Sequence, residues 1–277
     1  MAGKGRKIAS VLLATVFVVS GALMVRQWLN ERRALEAETV AREMVESINR
    51  TEVEATVDIF DQPVPLELGA EKPVRDKETW LSDDTDFLLG IDLGLLRQTN
   101  EHVLGWIHIP GTVIDYPLLA YDDNKTGLDL AWDGTKNSAG SIFLECRNAR
   151  DFSDFNTLVY GHNMRRGHMF GSLKEYAGQA YADEHRLIYI VTDDDVLVYE
   201  VFSSYEASVT SDTYRLYFED DARRQSSLQH YVESSVISGN IVPTVEDRIL
   251  TLSTCVGNGT YDTRWVVQAM LTAQVPR

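Results

Sequence analysis

The chain has 277 residues, a formal net charge of -16, 44% apolar and 25% charged side chains. That composition supplies a real hydrophobic core and excludes a collagen-like or disordered chain. Its acidic balance repels nucleic acid at long range, and two cysteines, Cys146 and Cys255, are too few for a disulfide-stapled scaffold.

Residues 8 to 25, IASVLLATVFVVSGALMV, carry no charge. As a helix they would span about 27 Å, the thickness of a bilayer core. The sequence therefore predicts a membrane anchor. Lys4, Arg6 and Lys7 precede it with no acid among them, which predicts a cytoplasmic N-terminus and an extracellular body. A cleaved signal peptide ending near Ser20-Gly21-Ala22 is the weaker alternative. Residues 27 to 50 carry a modest apolar stripe at helical spacing, rich in Ala, Glu and Arg. Residues 56 to 85, with Pro63, Pro65, Gly69 and Pro73, read as an exposed connection. A short helix is expected over 86 to 98.

From Val103 the pattern changes to short apolar runs separated by turn residues. VLGWIHI ends at Pro110-Gly111, and TVIDYPLL follows with Pro117 inside it. Further strands are expected over 141–145, 156–160, 187–191, 196–203, 205–209, 248–254 and 263–271, with helices over 170–176 and 219–237. Many short strands with two inserted helices point to a closed or nearly closed β-barrel.

Three residues stand where chemistry is plausible. Cys255 ends an apolar strand and precedes a Gly-rich turn, a position that a rigid sheet holds and solvent can reach. Its thiolate would be a strong nucleophile, whereas a buried inert thiol is the plainer reading of an isolated cysteine. His162, in VYGHNM, also directly follows a strand and is suited to carrying a proton to and from an amine. His168, in a second Gly-His pair, is the competing histidine. Arg264 lies nine residues after Cys255. If the flanking strands form one hairpin, it comes beside the cysteine, where a guanidinium would hold a carbonyl or a developing oxyanion. No zinc-like ligand spacing and no phosphate-binding glycine motif is present, so no cofactor or metal is expected.

The segment TLSTC at 251–255 resembles the TLxTC signature of sortases. VYGHNM at 159–164 and LGWIHIPGTVIDYPLL at 104–119 resemble the same family, class B in particular. The resemblance implies an all-β fold, a closed eight-stranded sortase β-barrel with inserted helices and an N-terminal helical extension. It divides the chain into a cytoplasmic tail and transmembrane anchor (1–30), a helical extension and linker (31–95) and a catalytic domain (96–277). It implies a membrane-bound cysteine transpeptidase that cleaves a C-terminal sorting motif of secreted proteins. The acyl group would pass through a thioester to an amine of a peptidoglycan precursor or a pilin. Cys255 would be the nucleophile, His162 the acid/base and Arg264 the oxyanion or substrate clamp, with residues 208–242 shaping the groove. A hydrolase that only cleaves, or a tethered binding module without catalysis, are the alternatives. Cys146 departs from the family pattern, as an inert thiol or as a partner for Cys255.

Overall fold

The computed structural model describes residues 19–26, 28–29, 32–33, 36–46, 84–255 and 262–277. The apolar runs from Val103 onward pair as eight strands: β1 (Val103–His108), β2 (Asp115–Ala120), β3 (Ile142–Leu144), β4 (Asn156–Tyr160), β5 (Leu187–Val191), β6 (Asp195–Ser208), β7 (Ile249–Cys255) and β8 (Thr263–Pro276). They form a closed barrel in the order β1-β2-β3-β4-β7-β8-β6-β5, with β5 returning to β1. The β2–β3 and β4–β7 pairs are parallel and the others antiparallel.

Period-two alternation explains why several of these strands read as continuously apolar. Ile107, Leu118, Ile190 and Leu197 fill the barrel interior. Their neighbours Trp106, Leu119, Val191 and Val196 join a second core outside it. That outer core is completed by Ala41 and Val45 of the N-terminal helical segment and by Leu88, Ile91, Leu93 and Leu96. Both faces of these strands are covered, so neither face needs polar residues. Arg42 lies 3.3 Å from Asp115, a β2 carboxylate that also accepts from Trp106 Nε1 at 2.7 Å. Trp132 Nε1 donates to the Ala37 carbonyl, so the helical segment is pinned to the barrel by polar contacts as well as by packing.

Local chemistry accounts for the departures from expectation. The helix expected over 86–98 is two helices, Asp84–Leu89 and Leu93–Thr99. Gly90 ends the first, and Asp92 caps the second by accepting from Leu95 N. The two strands expected over 196–203 and 205–209 are one strand, β6. Ser203 and Ser204, which look like a break, are buried and bonded to the Tyr231 and Val266 carbonyls. A 3₁₀ turn, Gly171–Ala177, occupies the place of the helix expected at 170–176, and a further helix, Gln179–Glu184, follows it. The expected connection over 56–85 lies outside the described residues as far as 83.

The anchor expectation is corrected. Among the described residues no helix is long and apolar enough to cross a membrane. Of the segment 8–25, the described part is a helical stretch from Val19 that reaches the charged Arg26 within eight residues, and 8–18 lie outside the described residues. The single-pass topology and the membrane terms built on that segment therefore do not stand.

Closure of the barrel makes a steric demand on Gly105. A Cβ built there would meet the Val191 carbonyl oxygen across the β1–β5 seam. Gly105→Ala is expected to lower stability by about 1–3 kcal/mol through forced separation of the backbones. Urea unfolding of the variant against the parent chain checks this. An unchanged midpoint would show that the seam relaxes freely.

Candidate active site

β7 is the strand on which the site is assembled, because its two neighbours are β4 and β8. On one side β4 runs parallel to it, with Thr157 paired to Leu250 and Tyr160 to Ser253. Gly161 N–H extends the ladder to the Ser253 carbonyl at 3.2 Å. Parallel strands end at the same rim, so His162 emerges from the barrel where Thr254 and Cys255 do. On the other side β8 runs antiparallel, and Cys255 pairs with Arg264. The hairpin condition placed on Arg264 is met in the backbone register. The Gly-rich segment 256–261 and the Cys255 side chain lie outside the described residues.

His162 is half-buried. Its Nε2 lies 2.9 Å from the Leu128 carbonyl. A carbonyl only accepts, so that contact fixes a proton on Nε2 and leaves Nδ1 as the basic nitrogen of the neutral ring. Gly140, at φ +63°, backs the ring: a Cβ there would meet His162 Cδ2 at 3.0 Å. Arg264 is half-buried and its Nη1 donates to the Thr263 carbonyl at 2.9 Å. His168 sits beyond the Arg165–Gly167 turn, and burial followed by the Arg166 charge holds its pKa below the ordinary histidine value.

The polar cast of the TLSTC strand has a structural cause. Leu250 and Leu252 enter the barrel core. Thr251 and Ser253 stand on the alternate positions and meet the β6–β7 connection and its anchors. Thr251 Oγ1 donates to Asn156 Oδ1 at 2.7 Å. Asn156, fully buried, donates in turn to the Thr213 and Arg215 carbonyls, each at 3.0 Å. The Tyr214 hydroxyl lies 2.9 Å from Ser253 Oγ. The connection, which carries the helix Asp221–Ser234, is thereby tied to β4 and β7 beside the site. Asp212, held below the usual carboxylate range because bonds from Ser227 and Arg215 outweigh its burial, braces the same segment.

Sequence reasoning missed Asn156, Tyr214 and Glu145. Glu145 follows β3 and is 1% exposed. It accepts from Arg147 Nε at 2.7 Å, Asn124 Nδ2 at 2.7 Å and the Tyr160 hydroxyl at 2.9 Å. Burial works to raise its pKa, but these bonds and the Arg147 charge hold it down at about 2. Tyr160 lies two residues before His162, so Glu145 fixes the end of the strand that delivers the histidine. The available signal was an acid closing an apolar run, SIFLE. Because the folded pKa lies below the unfolded value of 4.5, the contribution of Glu145 to stability is present above about pH 4.5. It is lost as pH falls toward 2. Glu145→Gln is expected to flatten that acid limb in thermal unfolding between pH 6 and pH 2. An unaltered limb would mean that other carboxylates set it.

Cys146 is a half-buried free thiol. Burial, then the charge of Glu145, pushes its pKa up, which disfavours the thiolate. The suggested pairing with Cys255 finds no support in this free state. Among the described residues no group of three or more His, Cys, Asp or Glu is placed to hold a metal.

Comparison with known proteins agrees with this architecture. The sortase-domain family model matches residues 107–272. Sortase B of Staphylococcus aureus is 34% identical over 160 residues, 58% of this chain and 66% of that protein. Sortase B of Listeria monocytogenes is 35% identical over 179 residues, 64% of this chain and 72% of that protein. This chain therefore spans just under two thirds of the first relative and somewhat more of the second. The structure of a Staphylococcus aureus sortase B–substrate complex superposes with a TM-score of 0.62 at 32% identity, covering 65% of this chain and 84% of that one. The extent of the family match, the level of identity and the shared closed barrel lead to one assignment: this chain belongs to the sortase family, within its sortase B subclass.

Proposed function

We propose that this chain is a cysteine transpeptidase in which Cys255 is the nucleophile, His162 the acid/base and Arg264 the clamp on the reacting carbonyl, all within a catalytic domain spanning 96–277. Family membership supports sortase-type transpeptidase activity in general terms. The observation that carries the finer reading is the β7 register, which pairs Cys255 with Arg264 and puts β4, the strand leading to His162, on the other side.

In this reading the Cys255 thiolate attacks a backbone carbonyl of the sorting motif. The carbonyl π electrons move onto oxygen, and Arg264 stabilises that charge. Collapse of the adduct breaks the C–N bond, and the departing amine takes a proton from His162. The acyl group is then a thioester on Cys255. An incoming amine attacks it and gives a proton to His162, and the C–S bond breaks to return the thiolate. The amine belongs to a peptidoglycan precursor or a pilin, and the donor is a secreted protein with a C-terminal sorting motif.

Intact-mass analysis of the full chain with a panel of sorting-motif peptides, each with and without candidate amines, tests this. An acyl adduct on Cys255 followed by an amine-joined product is the expected result. Cleavage with no joined product under any amine would replace the transferase by a hydrolase. A folded chain that forms no adduct with any peptide and is not labelled at Cys255 by a thiol-reactive probe would remove the catalytic reading, whereas labelling without an adduct would point to the peptide panel.

A further inference from the structure

The segment that leaves His162 builds a basin with no assigned role. It is an open cavity of about 890 Å³ whose walls include the β1–β2 turn at Gly111–Val113, Asn163–Gly167 and the 3₁₀ turn. Arg165, Arg166 and Lys174 line it, with Glu175 as the opposing charge. In a chain of net charge -16 this is a local reversal of sign. Among the described residues neither arginine nor the lysine has an ion-pair partner.

The basin is a constructed feature. Arg166 is held at φ +59°, in the left-handed region that a non-glycine residue seldom occupies, and Gly167 follows at φ +81°. The turn is closed by the Asn163–Met169 bridge and by Phe170 N–H donating to the His162 carbonyl at 3.0 Å. A side chain at Gly171 would strike the Met164 backbone, so the close approach of the two turns depends on that glycine. Ser172, 8% exposed, also lines the cavity, and its Oγ has no partner in hydrogen-bonding geometry, although it lies near the Tyr181 hydroxyl.

We infer that the Arg165–Arg166–Lys174 basin is a phosphate subsite for an acyl acceptor that carries a diphosphate, and that it brings that acceptor's amine to the rim where His162 emerges. This rests on the transpeptidase reading above. Three cations against one carboxylate leave two positive charges, which match a phosphate dianion better than a single carboxylate. Guanidinium forks supply paired donors to phosphate oxygens. The basin joins the site through one residue, Asn163, so an anchored acceptor is held close to the proton carrier.

The test has a binding arm and a kinetic arm. The binding arm titrates the full chain with inorganic pyrophosphate at low salt by calorimetry, and repeats the titration on Arg165→Gln/Arg166→Gln and separately on Lys174→Gln. Loss of charge-assisted bonds is expected to weaken binding by about tenfold or more in the double variant, with thermal midpoints unchanged. The kinetic arm compares a diphosphate-bearing amine acceptor with an amidated triglycine that lacks an anion. In the double variant the KM of the first is expected to rise by about tenfold while that of the second stays within about twofold. Absence of pyrophosphate binding to the parent chain overturns the subsite. Binding without a KM difference leaves a site for free anions and overturns its link to the acceptor. Equal rises for both acceptors assign these residues to the amine instead. If no acyl transfer occurs, the titration still reads the basin alone, so failure of the enzyme and failure of the subsite are distinguishable.

Discussion

Cys255→Ala is expected to abolish acyl transfer, with a fall in turnover of about 10⁴-fold or more, because no other group in the proposed mechanism carries the acyl intermediate. Cys146 provides an internal control. Its thiol is raised by burial and by Glu145, so it is a poor replacement nucleophile, and it remains present in the variant as a countable sulfur. Intact mass after incubation with a cleavable peptide should show an adduct on the parent chain and none on Cys255→Ala. The register of β7 with β8 is backbone pairing, so the variant should keep the parent's thermal midpoint. A folded Cys255→Ala chain with parental turnover would sink the assignment of the nucleophile.

Arg264→Lys is the second large effect, a fall in kcat of about 10²- to 10³-fold. The substitution keeps a positive charge next to Cys255 in the register, so general attraction for a thiolate persists. What disappears is the planar fork that presents two donors to one oxygen. The split between parameters is therefore diagnostic. Loss confined to kcat marks an interaction made with the oxyanion, and a rise in KM with kcat intact marks a clamp on bound substrate. Parental kinetics in Arg264→Lys would reduce the residue's role to charge alone.

The sequence was most informative where local chemistry and long-range structure agree. The apolar runs from Val103 to Val191 announced their strands because both faces of each strand are covered, and the Cys255–Arg264 spacing announced a hairpin. Ser203 and Ser204 misled because a buried serine and a loop serine have the same composition, and only the Tyr231 and Val266 carbonyls distinguish them. Glu145 and Asn156 were invisible as anchors, since apart from the neighbouring Arg147 their partners, Asn124, Tyr160, Thr213 and Thr251, are distant in sequence and are brought to them by the fold. The parallel pairing of β2 with β3 and β4 with β7 leaves no mark on either strand's own pattern. The segment 8–25 misled in the other direction: its apolar run predicted a bilayer span, yet among the described residues no helix meets the length and apolarity that a crossing requires.

The parallel β4–β7 pair also bears on how such a chain diversifies. Two strands hydrogen-bonded side by side in the same direction keep their ends together whatever chain runs between them. The long excursion from Val209 to Arg248 can therefore be lengthened, trimmed or exchanged between relatives without disturbing the spacing of His162 and Cys255, provided the anchoring point at Asn156 survives. Under the proposed function, selectivity for the donor peptide would then be free to drift on one module while the reacting groups are inherited on another.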